Sequence, residues 1–543
     1  MLLTFLSFLL YSNGLSNRQD TSIIYSRVAI TIIFYCTISA FTSFYITYLE
    51  KGVALYGGLF NITPLNHSFQ IFMFIISGLI ILMSAFYPRK IQITMSNSLS
   101  KQTAMLYKTT KGYASVINKT LEQFTMIEYA LIVIFTLSGA TLLISSADLG
   151  SIYLCIELQS FSLYIISSLH RNSESSTGSA LTYFLLGGLS SCFILLGIGL
   201  IYANSGLTNL DGIYTLITDS EKYTYYSSWY NHTYLFYSLL LISVGLLFKI
   251  AAAPFHWWSP DVYDGVPTIV TTFIALMGKI AILILLLQLV HYTSSLLYST
   301  VQFYSWTTSL SLSCFFSLVI GTILGLSQVR IKRLLAYSTI SHVGFILLAL
   351  IVHTLDSYQA FIFYIIQYVL TNLNAFMIII GMGFNMYLLY TSNAEFNNLP
   401  EKNNSPIQLI NQLKGYFVIN PTLSLCLVIT MFSFIGLPPL VGFFGKLMAL
   451  TSALDNGKIL LVLVAVFTSV IGAVYYLTVI KTIYFEEAEY KKSYIYNDIS
   501  LSNVYSVTLG ILNLTVLLFI LIPDEILNFC DLLSLISYSA NSI

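Results

Sequence analysis

The chain has 543 residues, of which 57% are hydrophobic and only 8% charged, with no formal net charge and a mean hydropathy of +0.81. Soluble domains carry about 25% charged residues, so a soluble enzyme is excluded, and the neutral balance implies no nucleic-acid partner. The apolar runs are long and do not alternate, which selects membrane-spanning helices over a β-barrel.

The opening run MLLTFLSFLLYSN is short and lacks a basic leader, and is read as a first membrane helix rather than a cleaved signal. Further spans are expected over 24–48 and 69–87, followed by a polar, basic connection over 89–119. Then come 126–147, 149–169, 181–203, 235–258, 267–291, 303–326, 334–353 and 360–390. After a polar loop over 391–420 the last spans are 422–450, 459–484 and 504–522, which makes 14 with the first. When the loops are numbered in order, 17 of the 23 Lys and Arg fall in odd loops and 3 in even ones. A wrong span count would scramble that asymmetry. The basic loops are therefore expected on the cytosolic side, or its mitochondrial counterpart the matrix, with both termini opposite. The basic connection suits either a partner or anionic lipid headgroups.

The remaining three lysines, Lys249, Lys279 and Lys446, lie inside spans. At the bilayer centre each costs roughly 2.5–3.5 kcal/mol, which favours a site facing protein interior or a water-lined path. Lys249 precedes Pro254, one of three prolines in FKIAAAPFHWWSPDVYDGVP, and proline-freed backbone is tolerated where it lines a cavity. Snorkelling is the competing reading for Lys249. Lys279 is too deep for it. Lys446 follows a second break at Pro438 and Pro439, so each half carries an interrupted helix with a lysine, the pointer to inverted repeats and a midplane site.

Glu157 lies nine residues past Asp148, about 14 Å down a helix. It is read as a partner for Lys249, against the alternative of a neutral packing carboxylate. His342 is a packing histidine or a proton relay, and His256, beside the first break, a loop hydrogen bonder or a relay. Gln367, Tyr368, Thr371, Asn372 and Asn374 either hold a chain of waters or glue helices together. Trp257 and Trp258 read as an interfacial belt. The six cysteines are scattered without a C-x-x-C pair, so neither a disulfide framework nor an iron–sulfur or zinc site is expected, and no phosphate-binding glycine loop is present. The 40 Tyr and 37 Phe fit an AT-rich, organellar genome.

PFHWWSPDVYDGVPT at 254–268, MGKIAIL after it, RIKRLLAYSTISHVGF at 330–345 and GLPPLVGFFGK at 436–446 resemble the antiporter-like membrane subunits of respiratory complex I. The first motif points to the chain 2 branch in its fungal mitochondrial form. Standalone cation/proton antiporters share the fold and are the alternative. The resemblance implies an all-α polytopic membrane protein with two inverted five-helix repeats, about 126–292 and 303–484, each with one broken helix. It implies N-terminal helices and the basic loop over 1–125, and a C-terminal helix and tail over 485–543. Glu157, Lys249, Lys279 and Lys446 match the family's charged positions for proton translocation. Gln367 and Asn372 stand where larger sister subunits carry histidines. The resemblance also implies no cofactor on this chain. NADH, FMN, iron–sulfur clusters and ubiquinone would belong to the assembly. Partners would be sister complex I membrane subunits and lipids, in the mitochondrial inner membrane.

Overall fold

The computed structural model describes residues 22–44, 52–85, 90–91, 128–170, 173–222, 232–293, 306–390, 405, 407–487, 499–500 and 502–539. The expected first helix and nearly all of the basic connection over 89–119 lie outside them. The chain opens with α1 (Ser22–Ser43), a hairpin of β1 (Val53–Leu55) and β2 (Phe60–Ile62), α2 (Pro64–Ala85) and the short β3 (Lys90–Ile91). The first central group is α3 (Glu128–Ser145), α4 (Leu149–Ser168), α5 (Glu174–Ser205), α6 (Leu210–Lys222), α7 (His232–Ile250), α8 (Trp258–Gly265) and α9 (Thr268–Tyr292). The second is α10 (Thr307–Leu326), α11 (Ile331–Leu350), α12 (Leu355–Tyr390), α13 (Pro421–Ile435), α14 (Val441–Asp455) and α15 (Ile459–Tyr484). β4 (Ile499–Ser500) pairs with β3, and α16 (Asn503–Leu518) and α17 (Pro523–Ser539) close the chain.

Each expected span from 24–48 onward coincides with one of these helices or with a broken pair. Among the described residues, 11 helices are long and apolar enough to cross a membrane, and Tyr234–Ile250 and Pro421–Ile435 are apolar but shorter. The hairpin, α6 and α17 were not expected. Both helices mix polar residues into every turn, so neither forms the continuous apolar run by which spans are found.

Helices α9, α11 and α12 are buried on nearly all sides and form the axis of the molecule. Burial on nearly every side is what helices in the interior of a bundle show, and their polar side chains are therefore enclosed as well. The peripheral helices expose rows of large apolar side chains, among them Leu154, Phe161, Leu185, Phe467 and Val470. Such surfaces require lipid or protein cover, and the chain is a multi-pass membrane protein.

The two central groups share local devices. The start of α4 is pinned by Leu149 N–H to Thr208 O at 2.9 Å and Leu210 N–H to Ala147 O at 3.0 Å. The start of α11 is pinned in the same way, by Ile331 N–H to Gln408 O at 2.9 Å and Ile410 N–H to Val329 O at 3.0 Å. α3 meets α4 so closely at Gly139 that an added Cβ would lie 2.7 Å from the Gln159 nitrogen. α10 meets α11 at Gly321, 2.7 Å from the Ser341 nitrogen. The helix breaks also correspond: Ala251 at φ 63° before the cis Ala253–Pro254 bond, and Gly436 at φ 87° before the cis Pro438–Pro439 bond.

Valine at Gly139 or at Gly321 would push these helix pairs apart. Each substitution is expected to destabilise the protein by about 1–3 kcal/mol. The measurement is the thermal unfolding midpoint in mild detergent. Gly188→Val, at a position where an added Cβ meets nothing within 4 Å, should leave it nearly unchanged.

Candidate functional site

Lys249 sits in the last turn of α7, and Glu157 at the middle of α4. The structure brings them together as the sequence implied: Lys249 Nζ lies 3.8 Å from Glu157 Oε1, with the side chains only 7% and 15% exposed. That separation is an ion pair without a direct hydrogen bond, short enough for one water or a small rotation to close. Lys249 Nζ also donates to the Tyr164 hydroxyl at 3.4 Å. The carbonyl of Phe248, in the last turn of α7, accepts from Ala251 N–H at 3.1 Å and from Trp258 Nε1 at 2.9 Å. Trp258 stacks on Tyr183 at 4.6 Å, and Tyr183 meets Tyr164 edge-on at 4.7 Å. Trp258 therefore seals the helix break instead of joining an interfacial belt, while Trp257 is 74% exposed. His256 is buried in the broken segment and stacks on Trp257 at 5.3 Å.

Lys279, at the middle of α9, is 1% exposed. Its Nζ donates to Thr339 Oγ1 on α11 at 3.0 Å and lies 5.8 Å from the centre of the Tyr263 ring, within cation–π range. Counted from the matching backbone bridges, Thr339 holds on α11 the place that Glu157 holds on α4. Each of these two lysines thus addresses the same position of a related helix, one through a carboxylate and the other through a hydroxyl.

His342, one turn after Thr339, is buried between two tyrosines. Its Nδ1 is 3.0 Å from the Tyr364 hydroxyl, and the Tyr476 hydroxyl is 3.4 Å from its Nε2. Lys446, in the second turn of α14, reaches back over the break. Its Nζ donates to the carbonyls of Phe434 and Ile435 at 2.9 and 2.8 Å, and lies 5.3 Å from the centre of the Phe345 ring. These are carbonyls that the end of α13 leaves without helical partners. The lysines of the two broken helices are not equivalent: Lys249 precedes its break, and Lys446 follows its own.

The polar run on α12 divides between the two readings given it. Asn374 and Asn513 exchange side-chain hydrogen bonds at 3.0 and 3.2 Å, joining α12 to α16. Thr371 bonds back to the Gln367 carbonyl at 2.9 Å. By contrast, Gln367 Oε1 and Asn372 Oδ1 are buried without a protein partner, as are the Tyr263 hydroxyl and Ser433 Oγ. Buried polar atoms of this kind are where ordered water binds. Tyr164, Thr339, Tyr364 and Tyr476 were missed by sequence reasoning. They carry no charge, and nothing but three-dimensional proximity distinguishes them from other hydroxyls. Among the described residues, no group of three or more His, Cys, Asp or Glu side chains is placed to hold a metal.

The chain belongs to the NADH:quinone oxidoreductase/Mrp antiporter transmembrane family, whose model matches residues 146–472. The chain is 41% identical to NADH-ubiquinone oxidoreductase chain 2 of Rhizopus oryzae, across 96% of this chain and 97% of that one. It is 34% identical to NADH-quinone oxidoreductase subunit N of Jannaschia sp. (strain CCS1), across 67% and 68%. A chain of respiratory complex I from Thermus thermophilus shares its fold, with a TM-score of 0.69 at 24% identity over 97% of each chain. So does a chain of the Mrp complex from Dietzia sp. DQ12-45-1b, with a TM-score of 0.70 at 15% identity over 100% and 96%.

The Asn374–Asn513 pair tests the division within α12. Asn374→Leu alone leaves the buried Asn513 Oδ1 without its donor and should cost about 1–3 kcal/mol, most of it recovered in the double variant with Asn513→Leu. Thermal unfolding in detergent reads this directly. A single variant as stable as the parent would remove the pair from the account of α12.

Proposed function

We propose that this chain is a proton-translocating membrane subunit of an NADH:quinone oxidoreductase, and that protons pass along Glu157, Lys249, Lys279 and Lys446. The carrying observation is that Lys279, fully enclosed in α9, is met by the Thr339 hydroxyl, while Lys249 faces a carboxylate. A carboxylate beside an ammonium favours its charged form, and its withdrawal disfavours it. Movement or neutralisation of Glu157 then toggles the proton on Lys249. Lys279 passes protons along the midplane, and Lys446 is the terminal. His342 lies within electrostatic reach of both Lys446 and Lys279 and serves as the relay between them. The oxygens of Tyr263, Gln367, Asn372 and Ser433 support a hydrated path through α8, α12 and α13. His256 is the second relay candidate, at the first break. Moving one charge across 100 mV takes about 2.3 kcal/mol. A hundredfold change in a lysine's proton affinity, about 2.7 kcal/mol, is of that size.

The architecture in this reading is 14 spans containing two inverted repeats, 126–292 and 303–484, flanked by an N-terminal unit over 1–125 and a C-terminal unit over 485–543. The matching bridges, glycine contacts and breaks support the repeats. An odd number of spans per repeat supports their inversion, because each then ends on the side opposite to its start. The chain sits in the mitochondrial inner membrane with its basic loops towards the matrix and its termini towards the intermembrane space. It packs beside sister antiporter-like subunits and lipids. It binds no redox cofactor, and NADH, FMN, iron–sulfur clusters and ubiquinone are handled elsewhere in the assembly.

Purification in mild detergent should give a very large particle that oxidises NADH with quinone. A small particle without redox activity would instead favour a standalone cation/proton antiporter. Within the large particle, Lys446→Met should lower the rate of NADH-driven proton pumping by about 100-fold, the scale of losing an acid–base group. Unchanged redox activity and pumping together would sink the role of Lys446. Replacement of Glu157 and Lys249 together by neutral residues of similar volume should also stop pumping. Intact pumping would make their pair structural.

A further inference from the structure

The basic run at Arg330, Lys332 and Arg333 is not a free loop. It folds onto the short helix α8, which lies between the first break and α9. The Asp264 carboxylate is 7% exposed, and a single oxygen of it accepts from Arg330 Nη1 at 2.6 Å and Arg333 Nε at 3.1 Å. Arg333 Nη2 reaches Asp261 Oδ1 at 2.9 Å. Lys332, between the two arginines in sequence, is 1% exposed. Its Nζ donates to the carbonyls of Asp264 and Val266 at 3.2 and 2.7 Å and to Ser405 Oγ at 2.6 Å. Those two carbonyls belong to the end of α8 and the residue after it, where a cation is favourably placed.

These links close a ring. From Asp264 the chain runs through Pro267 into α9 and down to Lys279. From Arg330 it runs down α11 to Thr339, which meets Lys279. Both arms are roughly 12–16 Å long at the helical rise. One attachment at the head of α11 would let the helix turn about it. The arginine pair on the Asp264 carboxylate and Lys332 on the carbonyls of Asp264 and Val266 add a restraint on its rotation to the backbone bridges that pin its start. Thr339 carries its hydroxyl on a β-branched side chain with few rotamers, so the rotation of α11 decides whether Oγ1 faces Lys279.

Resting on the reading of Lys279 as a proton carrier, we propose that Asp264 is a positioning residue for proton transfer. Its pairing with Arg330 and Arg333 holds α11 in the rotation that keeps Thr339 beside Lys279. Neither Asp264 nor the arginines exchange the transported proton. They set the geometry in which Lys279 does.

The experiment uses the whole assembly in sealed membrane vesicles, with protons moved per NADH as readout and the amount of intact particle as control. Asp264→Asn keeps the shape and removes the charge. It is expected to assemble normally and to lower pumping about tenfold or more, the scale of a misplacement of roughly 1 Å. Asp264→Glu should restore most of that loss. Thr339→Val should lower pumping on its own, and the Asp264→Asn/Thr339→Val double variant should be no worse than Thr339→Val alone, because both act through one contact. Should Asp264→Asn not accumulate, Arg330→Lys, which keeps the charge but loses the guanidinium fork, is paired with Thr339→Val in the same comparison. The proposal is overturned if Asp264→Asn pumps like the parent, if Thr339→Val is without effect, or if the losses multiply in the double variant. Lys279→Met separates the two levels. Normal pumping there sinks the proton-carrier reading itself. Lost pumping there with a normal Asp264→Asn sinks only the positioning role.

Discussion

An ammonium group inside a hydrocarbon layer has to be met by oxygen, and the arrangement of this protein follows from how three lysines meet that demand. Lys249 finds a carboxylate and a phenol, Lys279 a threonine hydroxyl with an aromatic face near by, and Lys446 two main-chain carbonyls. Unsolvated, each would cost more than most single interactions return. The partners of Lys249 and Lys279 come from helices far apart in sequence, so satisfying these lysines requires α4 to pack against α7 and α11 against α9, whereas Lys446 is met across its own helix break. What looks like a liability of composition is thereby a specification of packing.

The helix breaks pose the complementary problem, since they expose acceptors where the lysines expose donors. At the first break the Phe248 carbonyl is met by Ala251 N–H and by the indole of Trp258, and Lys249 faces Glu157. At the second, Lys446 itself takes the carbonyls of Phe434 and Ile435. The two broken segments thus hold their cations differently. The first lysine is poised against a carboxylate whose charge or position can change, and the second is anchored to main-chain carbonyls, neutral dipoles that do not titrate. In the proposed sequence of transfers, this places the modulated site in the first half and the terminal in the second.

Between these sites the polar groups fall into two physical classes. Asn374 with Asn513 is a closed, mutually satisfied pair that ties α12 to α16. Gln367, Asn372, Tyr263 and Ser433 each keep a buried oxygen open. The first class holds helices in place, and the second offers stations for water. The two cannot be told apart by residue type, for asparagine belongs to both.

The sequence by itself determined the membrane class, nearly every span and the identity of the charged residues. A long apolar run and an intramembrane lysine are signals carried by the residues themselves, and the cost of burying charge gives them meaning. It also implied the pairing of Glu157 with Lys249, because an ionisable group inside a membrane span needs a partner. Only the tertiary structure decided that Thr339 meets Lys279, that Trp258 closes a break, and that Arg330 and Arg333 converge on Asp264. Thr339 and Trp258 look ordinary in the sequence, and Arg330 looks like one more cation of a basic loop. Their roles depend on which helix faces which and at what rotation. Packing of the whole bundle sets those quantities, and no local pattern encodes them.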